Sequence, residues 1–241
     1  MNLARQALAE FTGTAALVAV VVGSGIMATD LSRDVGVQLL ANSLATAAGL
    51  AVLILILGPV SGAHFNPVVS VAAWALTRRD PASATRGREV AAYVPAQVAG
   101  AVAGAVLANA MFALPAVQIS ARDRSAPHLL LGEVVATAGL VVVVFALARQ
   151  GRAALAPVAV GGYIGAAYWF TSSTSFANPA VTLGRALTDT FAGIAPASVP
   201  AFIAAQLAGA TLGGLLLVVL YPNSPQPVPG PAYQAAADQP R

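Results

Sequence analysis

A short motif occurs twice in this chain, about half its length apart, and each copy lies inside a long uncharged run. The copies contain Asn66-Pro67 and Asn178-Pro179, and the runs around them cover residues 35–77 and 153–184. Each run is too long for a single membrane span, and glycine and proline interrupt it. Irregular backbone at membrane depth is tolerated only where it packs inside protein or lines a wet cavity. The duplication therefore predicts two re-entrant segments that meet inside a membrane protein.

The composition also indicates a polytopic membrane protein. Apolar residues make up 58% of the chain, charged residues only 9%, and the mean hydropathy is +0.77, which is far from the balance of a soluble domain. All twelve basic residues are arginines at scattered positions, so the net charge of +3 gives no support for nucleic-acid binding. Cysteine is absent, which excludes thiol catalysis and cysteine metal sites. The sequence has no clustered carboxylates and no nucleophile beside a base, so it does not predict an enzyme. We also expect no cofactor and no metal.

Six apolar stretches predict six transmembrane helices. Each stretch is close to the ~20 residues that a helix needs to cross ~30 Å of hydrocarbon. They lie at about 8–28, 37–57, 90–113, 129–148, 154–170 and 198–220. We therefore expect an all-α integral membrane fold with six spans and two additional re-entrant half-helices.

The first uncharged run contains signals for a half-helix after its span. Gly58-Pro59 is expected to end the preceding helix, and Ser61-Gly62 to form a turn. Asn66 then becomes the N-cap, and Pro67 becomes the first helical residue, where its missing N–H is tolerated. The sequence therefore predicts that the half-helix begins at Pro67.

The second run repeats this pattern, with Asn178 as N-cap and a half-helix from Pro179 to about Thr188. Glutamate, Asn-Pro and glutamine recur in the same order in the two halves, as Glu10, Asn66-Pro67 and Gln97, and as Glu133, Asn178-Pro179 and Gln206. Three spans per repeat is an odd number, so the second repeat is expected to be inverted in the membrane.

The repeats define the expected domain organisation. Residues 1–221 are predicted to form one domain, with repeat one at about 1–113 and repeat two at about 129–221. Residues 222–241 contain six prolines and are predicted to be a disordered, proline-rich cytoplasmic tail.

The positions of the arginines predict the orientation in the membrane. A cytoplasmic N-terminus leaves four arginines outside, namely Arg33, Arg122, Arg124 and Arg185. The other eight fall inside: Arg5, Arg78, Arg79, Arg86, Arg88, Arg149, Arg152 and Arg241. We expect both termini in the cytoplasm and the protein in the plasma or inner membrane of the cell.

The double Asn-Pro motif with its flanking glutamates and glutamines resembles the major intrinsic protein family of aquaporins and aquaglyceroporins. The resemblance covers nearly the whole chain. It implies a pore in each protomer of a homotetramer, embedded in the lipid bilayer. It also implies that Asn66 and Asn178 contact the passing solute at the midplane, and that Glu10 and Glu133 support the backbone of the re-entrant loops. His64 is expected to pack and bond near its loop rather than to gate by pH.

The expected outer constriction departs from the family. Aligned on the two asparagines without gaps, the four constriction positions fall on Thr46, Ala166, Ser175 and Val181. Water-selective members are expected to have an aromatic residue, a histidine and an arginine there, and glycerol channels to keep the arginine beside bulky aromatics. Val181 occupies the arginine position, so the resemblance implies a wider and less cation-repelling constriction, similar to that of a bacterial subgroup linked to metalloid handling.

Arg185 follows Val181 by four residues and shares its helix face. It is expected either to overhang the outer mouth of the pore or to bond loop carbonyls at the membrane interface.

These features predict a passive channel for small neutral solutes and water. The expected solutes are glycerol-like polyols and metalloid hydroxides such as arsenite or methylated arsenicals. The positive N-terminal ends of the two half-helices are expected to exclude protons and cations. The alternatives are a water-selective channel and, in another class, a proton-coupled secondary transporter that uses Glu10 and Glu133.

Overall fold

The structure is a computed structural model that describes residues 2–77 and 85–222. Eight α-helices form this part of the chain, and single turns of 3₁₀-helix precede α6 and α8 at Ala153–Leu155 and Pro196–Ser198. The α-helices are α1 Leu3–Leu31, α2 Val35–Ser61, α3 Pro67–Thr77, α4 Gly87–Met111, α5 Pro127–Arg149, α6 Ala156–Phe170, α7 Pro179–Arg185 and α8 Val199–Leu220.

The predicted fold is confirmed. Six of the described helices, the last two counted with their 3₁₀ turns, are long and apolar enough to cross a membrane, and the short helices α3 and α7 follow the two Asn-Pro motifs. Their outward faces carry exposed large apolar side chains such as Leu44 and Leu55 on α2. The apolar surface that a soluble protein would bury is here available to lipid.

Two helix ends differ from the sequence prediction. Gly58-Pro59 does not end α2, because the helix continues to Ser61 with Pro59 inside it. A proline removes only one N–H donor, and the helix instead ends at Gly62, whose φ of 89° is left-handed and whose N–H bonds the Gly58 carbonyl. The second half-helix ends at Arg185 rather than at about Thr188.

Four glycines allow the closest helix crossings, and they repeat between the two halves. A Cβ on Gly100 or Gly104 of α4 would collide with the Phe11 and Ala15 carbonyls of α1. The equivalent contacts in the second half join α8 to α5, where Gly209 and Gly213 meet Val134 and Ala138. Small residues let backbones approach closely in membrane helices. These pairs therefore pack inside the protomer, as an inverted repeat requires.

The first turns of the half-helices α3 and α7 and the loops before them lie in the interior between the long helices. Asn66, Asn178 and the loop residues Phe65 and Ala177 are all buried. The predicted disordered tail, except Pro222, lies outside the described residues, as do Arg78, Arg79 and Arg241, which entered the orientation count.

Candidate solute pore

The two loops before the half-helices hold unusual backbone conformations at matching positions. Ala63 and Phe65 in the first loop have φ of 50° and 48°, and Ser175 and Ala177 in the second have 51° and 48°. These residues carry a Cβ, which makes the left-handed region cost ~1–3 kcal/mol for each of them. Such conformations persist only where the surroundings fix them, so each loop needs strong local support.

Glu10 supplies that support to the first loop. Its Oε1 accepts the His64 N–H at 3.0 Å, and its Oε2 accepts the Phe65 N–H at 2.6 Å and the Gln97 Nε2–H at 2.7 Å. The Ser61 hydroxyl also donates to Oε1 at 2.5 Å. The carboxylate is completely buried, and these donors satisfy it.

Glu133 has the equivalent role in the second loop. Its two oxygens accept the backbone N–H groups of Phe176 and Ala177, both at 2.9 Å, and Oε2 also accepts from Gln206 at 2.7 Å. Gln206 donates in addition to Thr182 Oγ1, as Gln97 does to Ser70 Oγ. Glu10 and Glu133 therefore both hold loop backbone.

Each asparagine of the Asn-Pro pair caps its own half-helix and ties it to the other loop. Asn66 Oδ1 accepts the Val68 N–H, and Asn178 Oδ1 accepts those of Ala180 and Val181. Asn66 Nδ2 donates to the Ala177 carbonyl and Asn178 Nδ2 to the Phe65 carbonyl, both at 2.7 Å. A side-chain amide has two N–H groups, so each asparagine keeps one further donor. The N-terminal ends of α3 and α7 are thereby joined.

A cavity of about 80 Å³ passes this asparagine pair. Most of its wall is apolar, from α1, α2, α5 and α6, and its polar lining residues are Thr46, His64, Asn66, Tyr168, Ser175, Asn178 and Arg185. An apolar wall with a few spaced polar groups suits a small solute that needs orientation but not tight binding.

One end of the cavity is lined by Thr46, Tyr168, Ser175, Val181 and Arg185, and we call it the Arg185 mouth. Thr46 Oγ1 and Tyr168 Oη lie 3.2 Å apart and share a hydrogen bond. Three of the four predicted constriction residues are present here. The fourth, Ala166, is exposed on the other side of α6 and does not line the cavity, and Tyr168 takes its place.

Arg185 combines the two placements considered for it, since it lines the cavity and also donates from Nε to the Ala192 carbonyl of a loop. Its guanidinium carbon lies 3.3 Å from the centroid of the Phe176 ring. A second guanidinium, that of Arg124, lies 4.9 Å from the same ring. Sequence reasoning did not single out Arg124 or Phe176. The only signal was that Phe176 occupies the position of His64 in the other repeat.

His64 lines the opposite part of the cavity. Its Nδ1 lies 3.0 Å from Ser70 Oγ, and its ring stands edge-on to that of Tyr93 at 5.4 Å between centroids. Tyr93 in turn donates to the Ser61 carbonyl at 2.9 Å. The histidine therefore has a hydrogen-bond partner on α3 and a packing partner on α4. Within the described ranges, no group of His, Asp and Glu side chains is arranged to hold a metal ion.

Comparison with known families and proteins gives a consistent result. Residues 1–175 match the family described as major intrinsic protein. The chain is 52% identical to aquaglyceroporin AqpS of Rhizobium meliloti over 225 residues, which covers 93% of this chain and 94% of the relative. It is 32% identical to the glycerol uptake facilitator protein of Pseudomonas aeruginosa, covering 88% and 87%.

The fold resembles a solved structure of the same kind. The X-ray structure of the aquaglyceroporin from Plasmodium falciparum superposes with a TM-score of 0.66 over 97% of this chain and 100% of that chain. The sequences are only 18% identical, so this likeness concerns the fold alone.

Proposed function

This chain belongs to the major intrinsic protein family, and we propose on that basis that it is a passive channel for small neutral polyols, metalloid hydroxides and water. The family and its relatives support a membrane channel that passes small solutes and water. The choice of solutes, the exclusion of protons and the assembly are our own proposals. The first two rest on the cavity and on the residues that line it, and the assembly rests on the family resemblance.

The observation that carries the proposal is the asparagine pair inside a mainly apolar cavity. Asn66 and Asn178 each donate one Nδ2–H to a loop carbonyl, which leaves the second N–H for a solute. A hydroxyl compound that leaves water for an apolar passage must recover hydrogen bonds, or it pays the full desolvation cost. Donors held rigidly at one level of the cavity supply that compensation without binding the solute tightly.

Cation exclusion follows from the half-helices. Both begin at prolines beside the asparagine pair, so their positive N-terminal ends are directed at one level of the cavity. A cation that crosses this level loses water and meets two positive dipole ends. A neutral solute is not affected in this way, and we expect protons and cations to be rejected there.

The Arg185 mouth supports solutes larger than water. Val181 is short and apolar, and the polar groups around it can accept and donate hydrogen bonds to a hydroxyl compound. Arsenite as a neutral trihydroxide resembles glycerol in size and hydroxyl display. Two of its relatives are named aquaglyceroporin and glycerol uptake facilitator, which agrees with polyol passage.

Proton coupling has less support. Glu10 and Glu133 are the acids that a coupled transporter would use, and their oxygens accept several hydrogen bonds each from loop N–H groups and glutamines. Protonation of either would remove an acceptor from a strained loop. We further propose a homotetramer in the plasma or inner membrane, with both termini cytoplasmic and the Arg185 mouth outside.

Stopped-flow light scattering on proteoliposomes tests the proposed solutes. We expect water and glycerol flux well above that of empty vesicles, with arsenite uptake in the same preparation. The lipid-facing variant Leu131→Ala serves as the control, because this side chain is 63% exposed. Fast water flux with no glycerol or arsenite flux would contradict the proposal and indicate a water-selective channel.

A further inference from the structure

Two buried arginines meet at one aromatic ring beside the Arg185 mouth. Arg185 is 2% exposed and Arg124 is 7% exposed, and both guanidinium groups lie against Phe176. Within residues 2–77 and 85–222, neither forms a salt bridge with a carboxylate. Buried cations normally have an acidic partner, so this pair leaves positive charge uncompensated.

The acids near the mouth are engaged elsewhere. Glu133 is the carboxylate whose charge reaches both arginines, and it accepts loop N–H groups and Gln206. Asp123 accepts from Ser125 and Ser198, and Asp189 accepts from the Ala121 N–H. Because two buried arginines have only the charge of Glu133 to balance them, the region at the mouth is net positive.

Much of the donor capacity of these arginines is unused. A guanidinium has five N–H groups in a planar fork. Arg185 gives its Nε–H to the Ala192 carbonyl, and its Nη groups form no hydrogen bond within the described part of the chain. Arg124 donates to the Gly193 carbonyl at 2.9 Å and to the Ser173 carbonyl at 3.4 Å. Arg185 is also the one of the two that lines the cavity.

A further polar group lies at the same place. Ser175 lines the cavity and is 3% exposed, and its hydroxyl oxygen has no hydrogen-bond partner among the described residues. A buried hydroxyl without a partner is costly unless a ligand or water completes it. The mouth therefore offers a cationic fork and an uncommitted hydroxyl together.

We propose that the Arg185 mouth binds one small oxyanion of carboxylate size, held by the Arg185 guanidinium with Ser175 as a second donor and Arg124 as a supporting charge. A planar carboxylate matches the guanidinium fork and forms short charge-assisted hydrogen bonds with it. The site is distinct from the asparagine pair and adds a ligand class to the neutral solutes. This inference rests on the proposed function only where it predicts an effect on flux.

The supporting charge is present at neutral pH. Burial, and to a smaller extent the neighbouring cation of Arg185, lower the pKa of Arg124 to about 9. A group with this pKa is still protonated at pH 7. An anion that binds here is attracted to both arginines, and its charge relieves the repulsion between them.

A bound anion is expected to stay at the mouth and obstruct neutral solutes. Beyond the mouth the wall is formed by residues such as Leu17, Leu50 and Ile164, and a charged group gains nothing from that surface. Small carboxylates should therefore reduce glycerol flux in a saturable manner, and only from the side that carries the mouth.

Trifluoroacetate is a suitable probe, because it remains ionised and its ¹⁹F signal broadens on binding. We expect saturable broadening with the purified protein, and binding about tenfold weaker in Arg185→Gln, which loses charge-assisted hydrogen bonds. Ser175→Ala should weaken binding less and is the variant least able to disturb folding. Arg33→Gln is the matched control, since Arg33 is exposed and does not line the cavity.

The outcomes separate this inference from the proposed function. Absent binding by the wild type, or binding unchanged in both Arg185→Gln and Ser175→Ala, overturns the oxyanion site. Binding with no glycerol flux overturns the polyol channel and leaves the site standing. Glycerol flux without any effect of trifluoroacetate on either face contradicts the predicted obstruction and places the anion elsewhere.

Discussion

At the scale of single residues, the asparagine of each motif caps its own half-helix and also holds the opposite loop. Asn178 Oδ1 caps α7, and Nδ2 holds the opposite loop through the Phe65 carbonyl. Only an amide supplies an acceptor and two donors in this geometry. Aspartate keeps the acceptor and loses the donors, so it separates the helix cap from the N–H groups that bind the loop and would contact a solute.

We expect Asn178→Asp to keep a folded channel with lower glycerol flux and a higher proton leak. The carboxylate still caps α7, and negative charge at a helix N-terminus is favourable. It repels the Phe65 carbonyl, however, and offsets the positive potential that we expect to exclude cations. A pH-sensitive dye in proteoliposomes measures the leak. A leak equal to that of wild type would show that the half-helix ends do not set cation exclusion.

The residue at position 181 should set the width of the Arg185 mouth. Val181→Arg adds a long charged side chain to the cavity wall and should reduce glycerol flux more than water flux. Val181→Leu, which adds one methylene, is the matched control and should change both little. Stopped-flow rates for the two solutes give the ratio. An unchanged ratio in Val181→Arg would mean that this position does not limit passage.

At the scale of elements, each re-entrant loop depends on one buried carboxylate. Glu133→Gln replaces an acceptor oxygen by an NH₂ group that faces backbone N–H donors. A hydrogen bond to a charged group is worth ~1.5–3 kcal/mol, so we expect a clearly lower thermal midpoint in detergent and reduced solute flux. Glu89→Gln is the control, because Glu89 is only partly buried and, among the described residues, its side chain accepts the nearby Arg86 N–H. Equal midpoints for the two variants would contradict this role of Glu133.

The crossing of α1 and α4 should tolerate no added methyl group. Gly104→Ala directs a Cβ into the Ala15 carbonyl, and overpacking of this kind typically costs ~1–3 kcal/mol. Gly162→Ala is matched to it, since nothing lies within 4 Å of a Cβ at that position. Thermal unfolding of the purified proteins should show a loss only for Gly104→Ala. Alanine is a better helix former than glycine, so a similar loss in both variants would show that the clash at the crossing is not its cause.

The elements also show what sequence reasoning could and could not reach. Apolar lengths and the Asn-Pro caps predict the six spans and the start of each half-helix, because these signals are local. The face that a helix presents to the cavity depends on how the helix packs against its neighbours, which the local sequence does not determine. Two residues rotate a helix by ~200°, so a shift from Tyr168 to Ala166 exchanges the cavity side for the exposed side. Arg124 was missed because only packing against Phe176 brings this loop residue to the mouth.

At the scale of the whole molecule, the inverted repeat produces one cavity with unequal ends. The supporting residues are equivalent, since Glu10 corresponds to Glu133 and Gln97 to Gln206 in their hydrogen bonds. The residues two positions before the asparagines differ, with His64 in one repeat and Phe176 in the other. One end is thus lined by a histidine, and the other by Arg185 with Arg124 close by. The repeat builds the passage, and its departures from symmetry are expected to select the solute.

The central claim is passive passage of neutral solutes through this cavity. The most direct measurement is initial glycerol flux into proteoliposomes over a wide concentration range, with a proton gradient imposed in either direction. We predict a flux that rises linearly with the glycerol gradient and is the same for both proton gradients. A flux that saturates and reverses its preference with the proton gradient would contradict the claim and indicate a coupled transporter.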